Sequence, residues 1–406
     1  MRGRWAIWLV LALVVAGFTV RGVLSYLNGL PEGGDTAVYH GGAAALLHGF
    51  PLYDSDSLPF EPAYAQLPFT YAPFAALLFV PLVLFPPQVA WGLLNAFSVL
   101  CVVLVAYLVL RHLPRRPSWL SPAWGAVVLG LVLSATTPVW VTLEYGQVNA
   151  LLMALVVVDL LVVCGATGRA GKFGGVLVGV AAATKLTPLI FVVHLLLTGR
   201  KADAARAAGT FVGLQGLMLL IAPHDTIRFW THTVFDSSRI GPTDWTWNQS
   251  VGGAVRRLSE QASWSQPVAY AIAAVFAVGG LVLVRHYHRQ GRPVSAMLVT
   301  AFLALLVSPV SWIHHWVWVV PLAVLLVAES GLGDRLAQVL LPITVAVFLL
   351  RPPSWTPGRN GDAPLTAGTF LVANFYLLFV VVIGAVLLVR QRRARVTLDP
   401  LVPVRT

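Results

Sequence analysis

An acidic residue lies among glycines early in the chain, in the segment EGGDTAVYHGG of residues 32–42. A carboxylate can act as a general base when it reaches the proton it removes, and nearby glycines let a substrate approach closely. Asp35 is therefore a candidate catalytic base. The structural alternative is that Asp35 caps a helix that starts at Thr36 and runs through Ala43–Leu47. The two roles are compatible.

A lysine and a histidine pair interrupt apolar stretches farther along the chain. Lys185 lies between two half-length apolar runs, and His314 and His315 lie in SPVSWIHHWVW, where a long apolar run must reverse. An ionisable residue at membrane depth costs about 2.5–3.5 kcal/mol on insertion scales, which favours a functional site. Lys185 could hold a phosphate, and the histidines could bind phosphate or transfer a proton; a metal is not expected, since no carboxylate cluster accompanies them. The structural alternatives are a lysine that extends to the interface and an interfacial histidine.

Three further blocks combine aromatic rings with amides or acids. Residues 144–149, EYGQVN, offer an acid, amides and a flexible turn, which suit hydrogen bonds to sugar hydroxyls. Residues 239–250, RIGPTDWTWNQS, offer aromatic faces and amides for stacking on a sugar, and residues 67–74, LPFTYAPF, carry a tyrosine beside a proline. A polar turn, an interfacial tryptophan belt and a proline in the first turn of a helix explain the same blocks structurally. Both interpretations stay open.

Membrane spans must position these residues, because the chain is too apolar for water. Of its 406 residues 58% are apolar and 11% charged, and its mean hydropathy is +0.79. Soluble domains carry roughly 25% charged residues. The composition excludes a disordered chain, a disulfide scaffold and an ordinary water-soluble enzyme. The net charge of +11 does not indicate nucleic acid, because the basic residues lie between apolar runs, as in cytoplasmic loops.

We predict an all-α polytopic membrane protein, a bundle of about 11–13 transmembrane or re-entrant helices. The first span begins at Trp5 with its N-terminus inside, and Pro86-Pro87 breaks a 49-residue uncharged run into two segments. The runs Phe173–Thr184 and Leu186–Gly199 are each too short to span, and we expect them to dip in and return. This arrangement leaves the basic residues from Arg169 to Arg206 on one side.

Residues 1–406 are predicted to form a single integral-membrane domain. Long outer loops are expected at about 24–67 and 223–265, and a basic cytoplasmic tail at 390–406. One basic cluster does not fit this topology. Arg111, Arg115 and Arg116 lie on the outer side of the membrane if both halves of the uncharged run cross. Either one half is re-entrant or this loop violates the positive-inside rule. The two cysteines lie in apolar runs and are predicted to be free, buried thiols.

The ordered set of blocks resembles glycosyltransferase family 87, the polyprenyl-phosphate-mannose-dependent α-(1→2)-mannosyltransferases of actinobacteria in the GT-C superfamily. Each block is weak alone, but their order is specific to the family. One departure is visible, because the family usually has Tyr-Pro-Pro-Phe where this chain has Tyr71-Ala72-Pro73-Phe74. The blocks are Asp35-x-x-Val38-Tyr39, Leu67-Pro-Phe-Thr-Tyr71-x-Pro73-Phe74, Tyr145-Gly-Gln-x-Asn149, Lys185-Leu-Thr-Pro188, Arg239-x-Gly-Pro242 with Trp247-Asn-Gln-Ser250, and Ser308-Pro-x-Ser-Trp312-x-His314-His315-Trp316-Val-Trp318.

The resemblance implies an inverting transfer of mannose from a β-linked polyprenyl phosphate to a lipid-linked mannoside of phosphatidylinositol mannoside or lipomannan type, forming an α-(1→2) linkage. It implies that Asp35 is the base and that Lys185, with His314 or His315, neutralises the leaving phosphate. No metal and no nucleotide cofactor are expected. The residues implied to contact sugar or acceptor are Tyr39, Tyr71, Glu144, Gln147, Asn149, Arg239, Trp247, Asn248 and Gln249.

The implied partners are membrane lipids, the polyprenyl-phosphate mannose donor and a glycolipid acceptor, with no nucleic acid; the sequence does not indicate an oligomeric state. The implied location is the bacterial plasma membrane, with the active site on the extracytoplasmic face. Two alternatives stay open: a transferase for another polyprenyl-phosphate sugar such as arabinose, and a transporter or flippase of a lipid-linked sugar. Transport is disfavoured because no sequence repeat is present and the polar residues gather at one face.

Overall fold

The computed structural model describes residues 2–165, 170–259, 262–356 and 366–397. These residues contain no strand, and one isolated antiparallel bridge joins Asn248 to Trp312. The α-helices are α1 (Arg2–Leu27), α2 (Gly34–His48), α3 (Pro73–Leu78), α4 (Pro87–His112), α5 (Pro122–Leu133), α6 (Thr137–Tyr145), α7 (Asn149–Val158), α8 (Val176–Thr184), α9 (Ile190–Leu197), α10 (Lys201–Ile221), α11 (Pro223–Thr231), α12 (Val251–Leu258), α13 (Ser265–Arg289), α14 (Pro293–Val307), α15 (Val319–Gly331), α16 (Arg335–Leu349), α17 (Ala367–Ala373) and α18 (Phe375–Thr397). Short 3-10 helices cover Ala63–Ala65, Val80–Leu84, Ala170–Phe173, Thr187–Leu189, Thr233–Phe235, Ser237–Ile240, Ile313–Trp318 and Pro352–Trp355, and Asp159–Val163 is a π-helical turn.

Five helices are long and apolar enough to cross a membrane, and two bent pairs bring the number to seven. The five are α1, α4, α10, α13 and the helix Ile313–Gly331 that includes α15; the bent pairs are α5–α6 and α17–α18. Six shorter apolar helices accompany them in the described part of the chain. The prediction of an all-α polytopic membrane protein is confirmed.

Helix α4 lies at the centre of the bundle, and α1 packs against it from outside. In the most apolar window of α4, 72% of the residues are buried, against 6% for α1. A Cβ on Gly22 would lie 2.8 Å from the carbonyl oxygen of Gln88, and a Cβ on Gly92 would lie 2.5 Å from that of Phe18. The end of α1 therefore meets the start of α4, and the helices run antiparallel through a contact that needs glycine on both sides.

The predicted break at Pro86-Pro87 is confirmed. Before the break, the apolar piece Pro73–Leu84 is too short to cross a bilayer, whose hydrocarbon core needs roughly 20 helical residues. After the break, α4 continues for 26 residues. Only the second half is long enough to cross; Arg111 lies in the last turn of α4, and Arg115 and Arg116 follow it. A single crossing by the uncharged run removes the conflict with the positive-inside rule.

Helices α8 and α9 form the predicted hairpin of two half-length helices. Lys185 separates them with extended backbone, at φ −146° and ψ 132°. The Arg206 Nε donates to the carbonyl of Gly174 before α8 over 2.8 Å, and the Arg200 guanidinium after α9 donates to the carbonyl of Cys164. The two helices thus leave and return to one end of the bundle, with Lys185 at the tip.

We call the end that carries Arg200 and Arg206 the basic end. His194, on α9, lies within electrostatic reach of Arg200 and of His288 on α13, which places the last turn of α13 at the same end. The ion pair of Arg292 with Glu329 joins the start of α14 to the end of α15. The opposite end is called the site end. Arg169, residues 260–261 of the second long loop, and residues 398–406 of the predicted tail lie outside the described residues.

Two long apolar runs in the second half of the chain are interrupted. The reversal expected near Pro309 is confirmed, because α14 stops at Val307 and a new helix begins at Ile313. Near the C-terminus, α17 and α18 meet at 80° and can form one span only as a bent pair. Asn374 lies at the bend, where its side-chain amide donates to the carbonyl of Phe370 over 2.8 Å.

The two predicted outer loops hold helices and pack together at the site end. The first contains α2, and the second contains α11 and α12. The Leu52 backbone N–H donates to the Asp225 carboxylate over 2.8 Å, and Arg228 pairs with Asp54 over 2.8 Å. These contacts hold the two loops against each other beside the helix ends. Elsewhere in the bundle, both cysteines are buried and free, as predicted.

Candidate active site

A fixed turn between α6 and α7 carries the central residues of the site. Gly146 ends α6 with φ +67°, and a Cβ there would lie 1.9 Å from the Thr36 hydroxyl oxygen, so only glycine fits. The Thr36 hydroxyl donates to the Gly146 carbonyl over 2.9 Å. Trp91 Nε1 and Asn95 Nδ2 both donate to the carbonyl of Leu143, over 2.8 and 2.9 Å. Side chains from α2 and α4 thus satisfy the carbonyls at the end of α6 and hold the turn.

Polar side chains from four elements form one continuous chain of hydrogen bonds, which we call the Asp35–His315 chain. Gln147 Nε2 donates to Asp35 Oδ2 over 2.6 Å, and Gln147 Oε1 accepts from Asn149 Nδ2 over 3.4 Å. Asn149 Oδ1 accepts from Lys185 Nζ over 3.2 Å, and Lys185 Nζ lies 2.9 Å from His315 Nε2. The structure brings together these five residues, all of which the sequence predicted.

When Asp35 is ionised and Lys185 is charged, these two groups set the direction of both amides. A carboxylate only accepts hydrogen bonds and an ammonium group only donates them, so Gln147 must turn its NH2 to Asp35 and Asn149 its oxygen to Lys185. This leaves the oxygen of Gln147 and the NH2 of Asn149 facing each other, as an acceptor and a donor. His315 Nε2 must accept from the ammonium group, which assigns its proton to Nδ1. The chain has one self-consistent arrangement of donors and acceptors.

Two buried tyrosines converge on the same glutamine. The hydroxyl oxygens of Tyr39 and Tyr71 lie 2.9 and 3.0 Å from Gln147 Oε1 and 2.7 Å from each other. The Lys185 Nζ also lies 5.3 Å from the centroid of the Tyr71 ring, a cation–π contact. Tyr71 therefore contacts both the Asp35 side and the Lys185 side of the site.

Asp35 is half-buried in the first turn of α2, outside the membrane-spanning helices. Burial raises the pKa of Asp35 to about 6, although the hydrogen bond from Gln147 and the charge of Lys185 oppose the rise. The prediction that Asp35 caps a helix starting at Thr36 is wrong. The helix begins at Gly34, and its cap is Gly33 with left-handed backbone and no side-chain bond. The carboxylate is thereby left to bond with Gln147.

The two histidines have different surroundings. His315 contacts Lys185, whereas the ring nitrogen Nδ1 of His314 is buried with no hydrogen-bond partner in the described structure. The backbone carbonyl of His314 accepts from the Thr142 hydroxyl over 3.3 Å, which ties this segment to α6. The two rings meet edge to face, with centroids 4.8 Å apart. His315 is therefore the histidine of the pair that continues the chain.

Three predicted residues lie at the edge of the site. Glu144 is exposed at the end of α6, and Trp247 packs edge-on against the neighbouring Tyr145 at 6.4 Å between centroids. Arg239 donates to the carbonyl of Ser55 over 3.0 Å and pairs with Asp56 at 3.7 Å, so it holds the first long loop. The structure does not bring these residues into the Asp35–His315 chain.

Asn248 and Gln249 were predicted to contact the sugar or the acceptor, but their side-chain amides bind the protein backbone instead. Both residues are fully buried. Asn248 Oδ1 accepts from the Ser311 backbone N–H over 2.9 Å, and Gln249 Nε2 donates to the Ala373 carbonyl over 2.6 Å. Gln249 Oε1 also accepts from the Tyr376 backbone N–H over 3.2 Å. These amides join three chain segments through backbone groups, so we correct their assignment to a structural one.

The residues that hold the turn are not among those predicted from the sequence. Thr36, Trp91 and Asn95 each bond a carbonyl at the end of α6. Asn95 carried a usable signal, because an amide inside a long uncharged run has a cost unless it finds a partner. Thr36 and Trp91 carried none, because both residues are common at membrane interfaces. Within the described residues, no group of three or more His, Cys, Asp or Glu side chains could hold a metal ion.

The fold and this chain of polar groups define a polytopic helical membrane protein with an acid–amide–cation site. A family model described as glycosyltransferase family 87 matches residues 69–309. The chain belongs to glycosyltransferase family 87. It is therefore a membrane glycosyltransferase, as the family resemblance predicted.

Three relatives illustrate the similarity. A protein of Mycobacterium tuberculosis is 34% identical over 87% of this chain and 83% of its own length, and one of Mycolicibacterium smegmatis is 31% identical over 95% and 92%. Both are named polyprenol-phosphate-mannose-dependent α-(1-2)-phosphatidylinositol mannoside mannosyltransferase. A second protein of Mycolicibacterium smegmatis, 32% identical over 89% and 88%, is named for a phosphatidylinositol pentamannoside. No solved structure is significantly similar to the chain.

Proposed function

We propose that this protein transfers mannose from polyprenyl-phosphate mannose to a phosphatidylinositol mannoside, forming an α-(1→2) linkage. The names of relatives that cover most of the chain support this donor and acceptor. The observation that carries the proposal is the link from Asp35 to Lys185 through two amides, because it sets a base and a cation beside one another. An inverting sugar transfer needs both groups.

In the proposed reaction Asp35 removes the proton of an acceptor hydroxyl. The acceptor oxygen then attacks the anomeric carbon as the bond from that carbon to the phosphate oxygen breaks, which inverts the β-linked donor to an α-linked product. The polyprenyl phosphate leaves with the bonding electrons. Lys185 and the polar ring of His315 stabilise the charge that develops on it. Groups that already point at the developing charge stabilise the transition state without reorganisation.

The charged residues support a location for the active site. Cytoplasmic loops carry an excess of Lys and Arg, and Arg200, Arg206 and Arg292 lie at the basic end, away from Asp35. We therefore propose that the basic end faces the cytoplasm of the bacterial plasma membrane and that the site end faces outward. Lipid-linked sugar donors suit that side, because nucleotide sugars are not available there. Residues 1–406 would act as one integral-membrane domain.

The test is transfer by the purified protein in detergent with defined donors and acceptors. We expect a mannosylated phosphatidylinositol mannoside with an α-(1→2) linkage from polyprenyl-phosphate mannose, and transfer that persists with EDTA, because the proposal includes no metal. A product from polyprenyl-phosphate arabinose, with none from polyprenyl-phosphate mannose, would show that the proposed donor is wrong. If neither donor gives a product and the protein moves the lipid-linked sugar across vesicle membranes, the protein is a transporter and the proposed transferase function is wrong.

A further inference from the structure

The two tyrosine hydroxyls have fewer hydrogens than contacts. Tyr39, Tyr71 and Gln147 form a triangle of three oxygen–oxygen contacts, at 2.7, 2.9 and 3.0 Å. Each hydroxyl carries one hydrogen, and Gln147 Oε1 carries none. The contact between the tyrosines can use only one hydrogen. When both hydrogens stay in the triangle, at least one hydroxyl donates to Gln147 Oε1 in every arrangement.

We infer that Tyr39 and Tyr71 are positioning residues that lock the Gln147 amide, so that its NH2 always faces Asp35. The inference rests on the proposed role of Asp35 as the base. It gives the tyrosines a different role from the sugar or acceptor contact that the family resemblance implied. Both hydroxyls are directed at the glutamine, and both side chains are buried, with Tyr39 fully so and Tyr71 9% exposed.

The orientation of the Gln147 amide must be held because its oxygen and its NH2 group have similar shapes. A half-turn about its last bond exchanges the oxygen and the NH2 group, and only the hydrogen-bond partners decide between the two. With NH2 towards Asp35, the amide favours the ionised carboxylate, the form that can accept a proton. With the oxygen towards Asp35, the amide favours the protonated acid, which cannot act as a base. Asn149, at 3.4 Å from Gln147 Oε1, is too distant to hold the orientation firmly.

The groups that act on Asp35 are few. Lys185 faces it from the tip of the α8–α9 hairpin, Gln147 from the turn after α6, and the two tyrosines from α2 and from the segment before α3. His315 lies behind Lys185 and does not contact the carboxylate directly. A change confined to the tyrosine hydroxyls therefore reaches Asp35 through Gln147, with the charge of Lys185 unaltered.

The test compares pH profiles of kcat/KM for Tyr39→Phe, Tyr71→Phe and the double variant. Each single variant keeps one donor to Gln147, so we expect it to remain within about threefold of the parent with the same acidic limb. The double variant loses both donors, and we expect its acidic limb to move to higher pH by about one pKa unit. A shift of one unit from about 6 lowers the ionised fraction about twofold at pH 7 and about fivefold at pH 6.

Two controls separate this role from a packing defect. Tyr376→Phe removes the hydroxyl of another fully buried tyrosine that takes no part in the chain, and its profile should match the parent. In a Gln147→Leu background, the tyrosine changes should have no further effect on the acidic limb, because their effect runs through the amide. A double variant whose activity falls equally at all pH values would overturn the inference.

Failure of the proposed function is a separate result. If the parent transfers no mannose, or if Asp35→Asn transfers normally, the proposed function or the base assignment fails. If the parent is active and Asp35→Asn inactive, while the double tyrosine variant keeps the parent pH profile, only the inference about the tyrosines fails. Thermal unfolding of each variant shows whether a loss of activity comes with a loss of fold.

Discussion

At the scale of single residues, opposite charges are held near each other without direct contact. Asp35 bonds Gln147, Lys185 bonds Asn149 and His315, and the two amides meet between them. A direct ion pair would occupy the carboxylate and the ammonium group with each other. The intervening amides leave the second carboxylate oxygen and part of the ammonium group available for a substrate.

Asp35→Asn removes the base while keeping the size of the side chain. General bases typically contribute 10²–10⁴-fold, so we expect kcat/KM for mannose transfer to fall at least about 100-fold. The parent activity should fall as the pH drops through about 6, because the protonated carboxyl can no longer accept a proton. The matched control is Asp236→Asn, the same change at an exposed acid, which should keep parent activity. Normal turnover by Asp35→Asn at any pH contradicts the assignment.

Lys185→Ala removes the cation from the proposed leaving-group side. Hydrogen bonds to charged groups contribute about 1.5–3 kcal/mol, so we expect the donor KM to rise roughly 10- to 100-fold, with a smaller change in the acceptor KM. Steady-state kinetics with each substrate varied in turn measure the two effects. Lys172→Ala, at an exposed lysine of the basic end, is the control. Equal effects on donor and acceptor would argue against the phosphate role.

The members of the site could be predicted from sequence where a polar residue stood in an apolar context. Lys185 and the two histidines interrupt apolar runs, and all but His314 join the chain. Their partners could not be predicted, because an amide side chain serves equally well for a substrate and for backbone groups. Asn248 shows this ambiguity, since its composition suits sugar binding while its bonds go to the backbone.

At the scale of helices, the contact of α1 with α4 depends on two glycines. Gly22→Ala or Gly92→Ala places a methyl group 2.8 or 2.5 Å from a backbone oxygen of the other helix, so the helices must move apart. Overpacking of this kind typically costs 1–3 kcal/mol, and we expect a lower Tm in detergent for both. Gly17→Ala, also on α1 with nothing within 4 Å, should leave the Tm unchanged or raised. Equal Tm values for all three would contradict this packing.

Helix breaks could be predicted where proline or a charge interrupted an apolar run. Pro86-Pro87, Lys185 and the segment around Pro309 all mark real breaks. The bend at Asn374 was missed because no proline, glycine or charge stands at that position. It depends on tertiary contacts instead, including the bond from the Arg257 guanidinium to the Asn374 side chain. Such contacts join residues far apart in sequence, and a local pattern does not reveal them.

At the scale of the whole molecule, the basic end and the site end should face opposite sides of the membrane. Arg115→Cys and Asp56→Cys place thiols at exposed positions near the two ends, and the native cysteines are buried. In intact cells we expect a membrane-impermeant thiol reagent to label Asp56→Cys only. Permeabilised cells should show both labels, and the parent chain should show neither. Labelling of Arg115→Cys from outside would contradict the proposed orientation.

The two amides between Asp35 and Lys185 also prevent proton transfer between these two groups. A side-chain amide keeps its donor and acceptor on separate atoms, so Gln147 and Asn149 do not relay a proton from one end of the chain to the other. After a proposed turnover, the proton on Asp35 must depart to water at its half-exposed side. Lys185 keeps its charge throughout the reaction and only has to release the lipid phosphate. Two independent departures therefore return the site to its starting state: a proton to water and a phosphate to the lipid phase.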